Sequence, residues 1–316
     1  MHKKGTSNNM HSLAPYLIRC FNPALSGKPE DKYAALDKVG SHDTFDLLSN
    51  FIKSKKADFH VLDEAKQVYR FDNFNYDSVN RVLYGWFQLG SFGTKADIIN
   101  VKTGKTDYKK TQENAEIINH FIYFSIPRGY NEGVVLLHML RGNGIKTVFY
   151  DLFREYFNSI TKFNLQMNAL SYDKALAEWG DANAKEIRLI KFSAFGDLAD
   201  NIKKLGHDEQ ILTLKPPRKG TLGKFKDYMN KDSEQSKAIE FLTPMCSKVK
   251  TVVELNGRKR TFSIGYNASN TLCEIEAPED LELEFGNPKY EAIKKWCFDI
   301  SNEFSDSLYK GQKAKS

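Results

Sequence analysis

Asp58, Glu64 and Lys66, in the stretch DFHVLDEAK, are the residues whose types and spacing come nearest to a catalytic set. A carboxylate and an acidic-x-Lys pair on neighbouring strands can hold Mg²⁺ and activate water, the chemistry of a metal-dependent nuclease. The same stretch has one short apolar patch before its charged DEAK, a composition that also fits a solvated turn. Elsewhere the usual catalytic signatures are missing. The seven histidines form no HxH, HxxxH or HExxH, no serine sits in a GxSxG elbow, and there is no GxxxxGK[ST] or GxGxxG loop. Gly142-Asn143-Gly144 falls between a strand-like and a helix-like run, where helix amides can hold an anion, but without the fingerprint it reads as a tight turn. The four cysteines stand far apart with no CxxC, so packed thiols are expected, not zinc ligands or a redox pair. No cofactor and no metal site are expected.

Charge is the stronger pattern. The 316 residues carry 46 Lys and Arg against 40 Asp and Glu, a mild net +6, but the excess is local. Residues 215–231 (KPPRKGTLGKFKDYMNK) hold Lys215, Arg218, Lys219, Lys224, Lys226 and Lys231 against Asp227, a local +5, with Phe225 and Tyr228 interleaved. Arg258, Lys259 and Arg260 follow an Asn256-Gly257 turn, and Lys102, Lys105, Lys109 and Lys110 form a third cluster. Cations on loops and helix starts engage phosphates through charge and counterion release, with little reading of bases. The expected contacts to double-stranded DNA are Lys215, Arg218, Lys219, Lys224 and Lys226, assisted by Arg258, Lys259 and Arg260. A solvated, lysine-rich surface is the plainer alternative.

These residues need a scaffold, and the composition supplies one. Hydrophobic residues at 41%, with 22 Phe and 15 Tyr, can fill a sizeable core, and 27% charged residues fit a folded chain. No apolar run approaches the ~18 residues of a membrane span, and the polar start MHKKGTSNNMHS lacks a secretory h-region, so a cytoplasmic location is expected. Alternation and turn residues predict strands at 13–21, within 67–101 around Gly90 and Gly93 as a bulge or turn, and at 117–126, 133–140, 162–170, 185–192 and 211–214. Strands at 248–255 and 260–266 flank the Asn-Gly turn, and 271–275 joins them. Helical spacing predicts helices at 44–54 behind an Asp43 N-cap, from Thr147 onward, and at 171–180, 195–205, 222–230, 233–242 and 288–309. The helix after Thr147 would carry a stripe of Phe149, Leu152, Phe153, Tyr156, Phe157 and Ile160. The expected class is α+β, with antiparallel or mixed sheets, packed helices and a long C-terminal helix. A loose tail (1–12), a sheet-rich domain (13–170) and a second α+β domain (171–312) with βαβ-like alternation complete the expectation.

In residues 117–309 the ordered pattern resembles the RexA-type phage-exclusion proteins and related uncharacterised bacterial and prophage proteins. The resemblance runs through HFIYFSIP, GVVLLHMLRGNGIKTVFYDLFREYF, EIRLIKF, FGDLADNIKKLG, RKGTLGKFKDYMNK, VVELNGRKRTFSI and YEAIKKWCFDISNEFSDSL. It implies a two-part α+β protein that binds DNA non-specifically, forms a homodimer and acts in antiphage defence of the abortive-infection type, beside a co-encoded membrane or effector protein. A protein-interaction adaptor, or a regulatory subunit of a toxin or effector system, is a second expectation. A metal-dependent nuclease built on Asp58, Glu64 and Lys66 is a third.

Overall fold

The computed structural model describes residues 10–55, 58–170, 177–192, 211–218, 220–255, 257–264 and 273–309. The helix expected at 195–205, most of the one at 171–180 and the tail at 1–9 lie outside these residues. The class is α+β, with extensive antiparallel ladders and a C-terminal helix, Tyr290–Tyr309. Among the described residues no helix is long and apolar enough to cross a membrane. Two compact units divide the chain. One gathers the described residues of Leu17–Met167 and Asp280–Asn302, and the other those of Met1–Tyr16, Asn168–Glu279 and Glu303–Gly311.

In the first unit, strands Gly133–Leu140, Glu116–Ser125, Val82–Ser91, Gln67–Asp77 and His60–Leu62 lie side by side in that order, each antiparallel to the next. Seven of the eight residues of Gly133–Leu140 are buried, so its near-continuous apolar run reflects cover on both faces. Helices Thr44–Ser54 and Lys146–Thr161 add an aromatic layer: Phe51 lies 5.4 Å from Phe153, and Phe149 lies 6.3 Å from Phe71 and 6.0 Å from Phe87. The ladder is regular at Gly90, where a Cβ would come within 2.5 Å of the Ile117 side chain and 2.8 Å of the Glu116 carbonyl. Gly90 thus permits close approach, not a bulge; the irregularity in Gln67–Asp77 lies between Asp72 and Asn75. Gly93 does turn the chain, at φ +95°.

The second long helix begins before Thr147, at Lys146, with Ile145 at the cap and no side-chain capping bond. A tight turn causes this: Leu140 and Asn143 exchange backbone hydrogen bonds of 2.9 Å, with Arg141 and Gly142 at positive φ, and the chain enters the helix directly. The buried stripe is narrower than expected, with Phe149, Phe153 and Phe157 inside and Ile160 largely outside.

One ion pair ties this unit's first helix to its strands. Asp43 caps the helix by accepting from the Phe45 amide at 2.8 Å, and both its oxygens accept from Arg81 at 2.7 Å. Arg81 Nε donates to the Ile126 carbonyl at 2.7 Å, and the guanidinium lies over the Phe45 ring. Burial alone would raise the Asp43 pKa, but Arg81 and the amides of Phe45 and Asp46 hold it below its ordinary 3.8.

In the other unit the order is Ile211–Leu214, Asn183–Ile190, Lys248–Leu255, Arg258–Ile264, Cys273–Glu276, and then Ser12 and Leu13 of the first strand, His11–Phe21. These neighbours are antiparallel, which corrects the βαβ-like alternation expected after residue 170: antiparallel strands need no crossover helix. Trp179, Phe225 and Phe262 form its aromatic core, with Phe225 stacked on Phe262 at 4.2 Å.

Asp43→Asn keeps an oxygen for the helix cap but strands a buried guanidinium. It should cost about 3 kcal/mol in urea unfolding at neutral pH. Because the folded pKa is depressed, this contribution is complete above the ordinary aspartate value and is lost as pH falls through the folded one. The gap between wild type and variant should therefore close below pH 3.8; a gap unchanged into acid would show that the charge is irrelevant.

Candidate nucleic-acid interface

Asp58 precedes the strand His60–Leu62, and Glu64 and Lys66 sit in the turn joining it to Gln67–Asp77. All three side chains are exposed. Lys66 is left-handed at φ +51°, its amide donates to the Asp63 carbonyl at 3.2 Å, and its ammonium lies over the Phe92 ring. Asp58 and the Glu64–Lys66 pair thus lie before and after one short strand, not on two neighbouring strands as a nuclease metal site requires. Among the described residues, no group of three or more His, Cys, Asp or Glu gathers to hold a metal ion.

The lysine-rich segment is met by acids that lie far away in sequence. Lys215 Nζ is 3.2 Å from Glu186, and Lys224 and Lys226 share one oxygen of Asp181 at 3.1 and 2.8 Å. Hydrogen bonds from Lys226 and Lys224 pull the Asp181 pKa down. Burial would raise Glu186, but Arg188 and Lys215 hold it below its ordinary value. Phe225 and Tyr228 are buried, so their rings belong to the core and not to a base-stacking surface. Arg218 is exposed, and Lys259 is exposed opposite Glu254. Lys219 and the side chain of Arg258 lie outside the described residues.

Arg260 needs correction as a phosphate contact. Its guanidinium is buried, with Nη2 2.7 Å from Glu303, Nη1 donating to the Lys259 carbonyl at 3.0 Å, and the group set over the Trp179 ring. Its place on the strand aims it inward, which the run of three cations did not reveal.

The third cluster also stands in solvent, as a group on one element. Strands Ala96–Ile99 and Thr106–Lys110 form a separate two-stranded ribbon whose side chains are all exposed except that of Lys110, which is half-buried. Its register sets Ala96 opposite Lys110, Asp97 opposite Lys109 and Ile98 opposite Tyr108. The tip is held by Asn100, whose side-chain oxygen accepts from the amides of Lys102 (3.0 Å) and Thr103 (3.2 Å), and whose amide donates to the Lys105 carbonyl at 2.8 Å. Gly104 sits at φ +69° and donates to the Asn100 carbonyl at 2.7 Å. The base is tied by Asn114, which accepts from Tyr108 Oη at 2.7 Å and from the Thr111 amide at 2.8 Å.

Residues 95–110 hold five lysines and two aspartates, a net +3. Among the described residues no carboxylate lies within ion-pair distance of Lys102, Lys105 or Lys109. The KTGK turn marked this hairpin in the sequence, but nothing local distinguished its free lysines from the neutralised ones at 215–226.

No family model, curated protein or solved structure matches the chain.

The two kinds of cation should separate in a stability assay. Arg260→Ala removes a buried guanidinium that faces Glu303 and lies over the Trp179 ring and should lower unfolding free energy by about 3 kcal/mol. Lys226→Ala leaves Lys224 on Asp181 and should stay within about 0.5 kcal/mol of wild type. Equal losses in urea titrations would contradict the inward placement of Arg260.

Proposed function

We propose that the chain is a non-enzymatic protein that binds double-stranded DNA through its phosphate backbone, nearly indifferent to sequence, in bacterial antiphage defence. The observation that carries this reading is the exposed ribbon whose Lys102, Lys105 and Lys109 have no acidic partner among the described residues, because such cations can neutralise phosphates and release counterions without first giving up a carboxylate. Arg218 adds an exposed cation in the other unit. The resemblance of residues 117–309 to the RexA-type proteins supports the defence setting. It also supports a homodimer and a co-encoded membrane or effector partner. The lysines paired to Asp181 and Glu186 have a smaller share in this reading than the charge run suggests, since a phosphate must compete with a carboxylate already in place.

Fluorescence anisotropy with two unrelated duplexes tests the reading. Affinities should agree within about threefold and fall steeply between about 50 and 200 mM salt, with a log–log slope near −3 to −5 for a handful of phosphate contacts. Absence of binding to either duplex at the lower salt and tens of micromolar protein, on the order of the weakest non-specific affinities, would sink it.

A further inference from the structure

We infer that the ribbon formed by Ala96–Ile99 and Thr106–Lys110 is a groove-entering arm that seats in the major groove of B-form DNA, its apolar tip against base edges and its lysines on the flanking phosphates. This rests on the DNA-binding reading above and says which element of the chain meets which surface of the duplex.

The argument starts from an imbalance in the ribbon. A two-stranded hairpin is marginal in water unless one face is covered. Here Val101 at the tip is 90% exposed, Ile99 54%, Tyr108 52% and Ile98 46%. The hairpin is nevertheless carefully built, with the Asn100 side chain and Gly104 fixing its tip and Asn114 fixing its base. A hairpin tied by side-chain hydrogen bonds at tip and base that carries exposed apolar groups offers a surface for an occupant.

Charge selects the occupant. Lys102 and Lys105 bracket the tip, Lys109 lies on the stem opposite Asp97, and across residues 95–110 five lysines outnumber two aspartates, so the apolar residues sit within a net cationic frame. A polyanion that also offers apolar edges between its charges satisfies both features, and duplex DNA does so through thymine methyls between two phosphate rails. Size selects the groove. Paired strands lie about 4.8 Å apart, and with side chains the ribbon fits a major groove about 12 Å wide, whereas the minor groove at about 6 Å would have to open. The shorter strand, of four residues, rises about 13 Å, enough to carry the tip to the floor of a groove about 8.5 Å deep. The A-form major groove of double-stranded RNA is too narrow for side chains to read, so the arm favours DNA over RNA.

Titration of the full chain against a mixed-sequence DNA duplex and its RNA counterpart, each of about 20 base pairs, tests this, with methyl green as a major-groove competitor and netropsin as a minor-groove one. Wild type should prefer DNA, and methyl green but not netropsin should displace it. Ile99→Ser with Val101→Ser should weaken DNA binding about five- to tenfold with the salt slope unchanged, since only apolar contact is removed. Lys102→Ala, Lys105→Ala and Lys109→Ala together should make the slope shallower by about 2 to 3. All five positions are exposed, so circular dichroism of the variants should match wild type.

If wild type binds DNA and the Ile99/Val101 variant binds it equally well, the arm is wrong and the DNA-binding reading stands. Displacement by netropsin alone, or equal affinity for RNA, overturns the major-groove assignment in the same way. If wild type binds neither duplex, both readings fall.

Discussion

A charge taken out of water must meet an opposite charge, and in this chain that requirement decides what each cation can do. Glu274 is almost wholly buried and holds Lys248 and Lys250 at 2.6 and 2.5 Å. Burial would raise its pKa, yet the two lysines keep it below the ordinary glutamate value and so keep it ionised. Arg260 answers Glu303, Arg81 answers Asp43, and Arg188 bridges Glu186 and Glu276 at 2.9 and 2.7 Å. These cations are therefore committed to holding strands and helix ends together.

The same accounting separates two lysine-rich stretches that look alike as text. Around residues 215–226, folding brings Asp181 and Glu186 beneath the cations, and the aromatic residues between them turn into the core. At residues 95–110 the ribbon stands with both faces in solvent, so no acid from another element reaches Lys102 or Lys105 among the described residues. A phosphate meets competition at the first stretch and a vacant cation at the second. In the proposed DNA-binding reading the weight therefore moves from the denser charge run to the sparser one.

Much of the local architecture was legible without tertiary information. Asp43 before TFDLLSNFIKS announced its helix because a carboxylate at that position satisfies a free amide whatever lies nearby. Strands Gly133–Leu140, Lys248–Leu255 and Ile211–Leu214 fell at their expected bounds, because β-branched and apolar runs between turn residues have one natural conformation. Less legible were features set by a neighbour's backbone. Gly90 resembled a bulge but marks the close approach of Ile117, and Thr147 resembled a cap but is bypassed by the turn at Leu140–Asn143.

Sequence alone determined which residues are strand-forming, helix-forming and charged, since these depend on neighbours within a few positions. Only the tertiary structure decided pairing: that Cys273–Glu276 lies against Ser12 and Leu13, that Arg260 meets Glu303, and that Asp181 lies under Lys224 and Lys226. Each of these joins residues about 40 or more positions apart, and an unpaired charge has the same letter as a paired one. Whether a lysine is free to hold a phosphate depends on the nearest carboxylate in space, which local sequence does not encode.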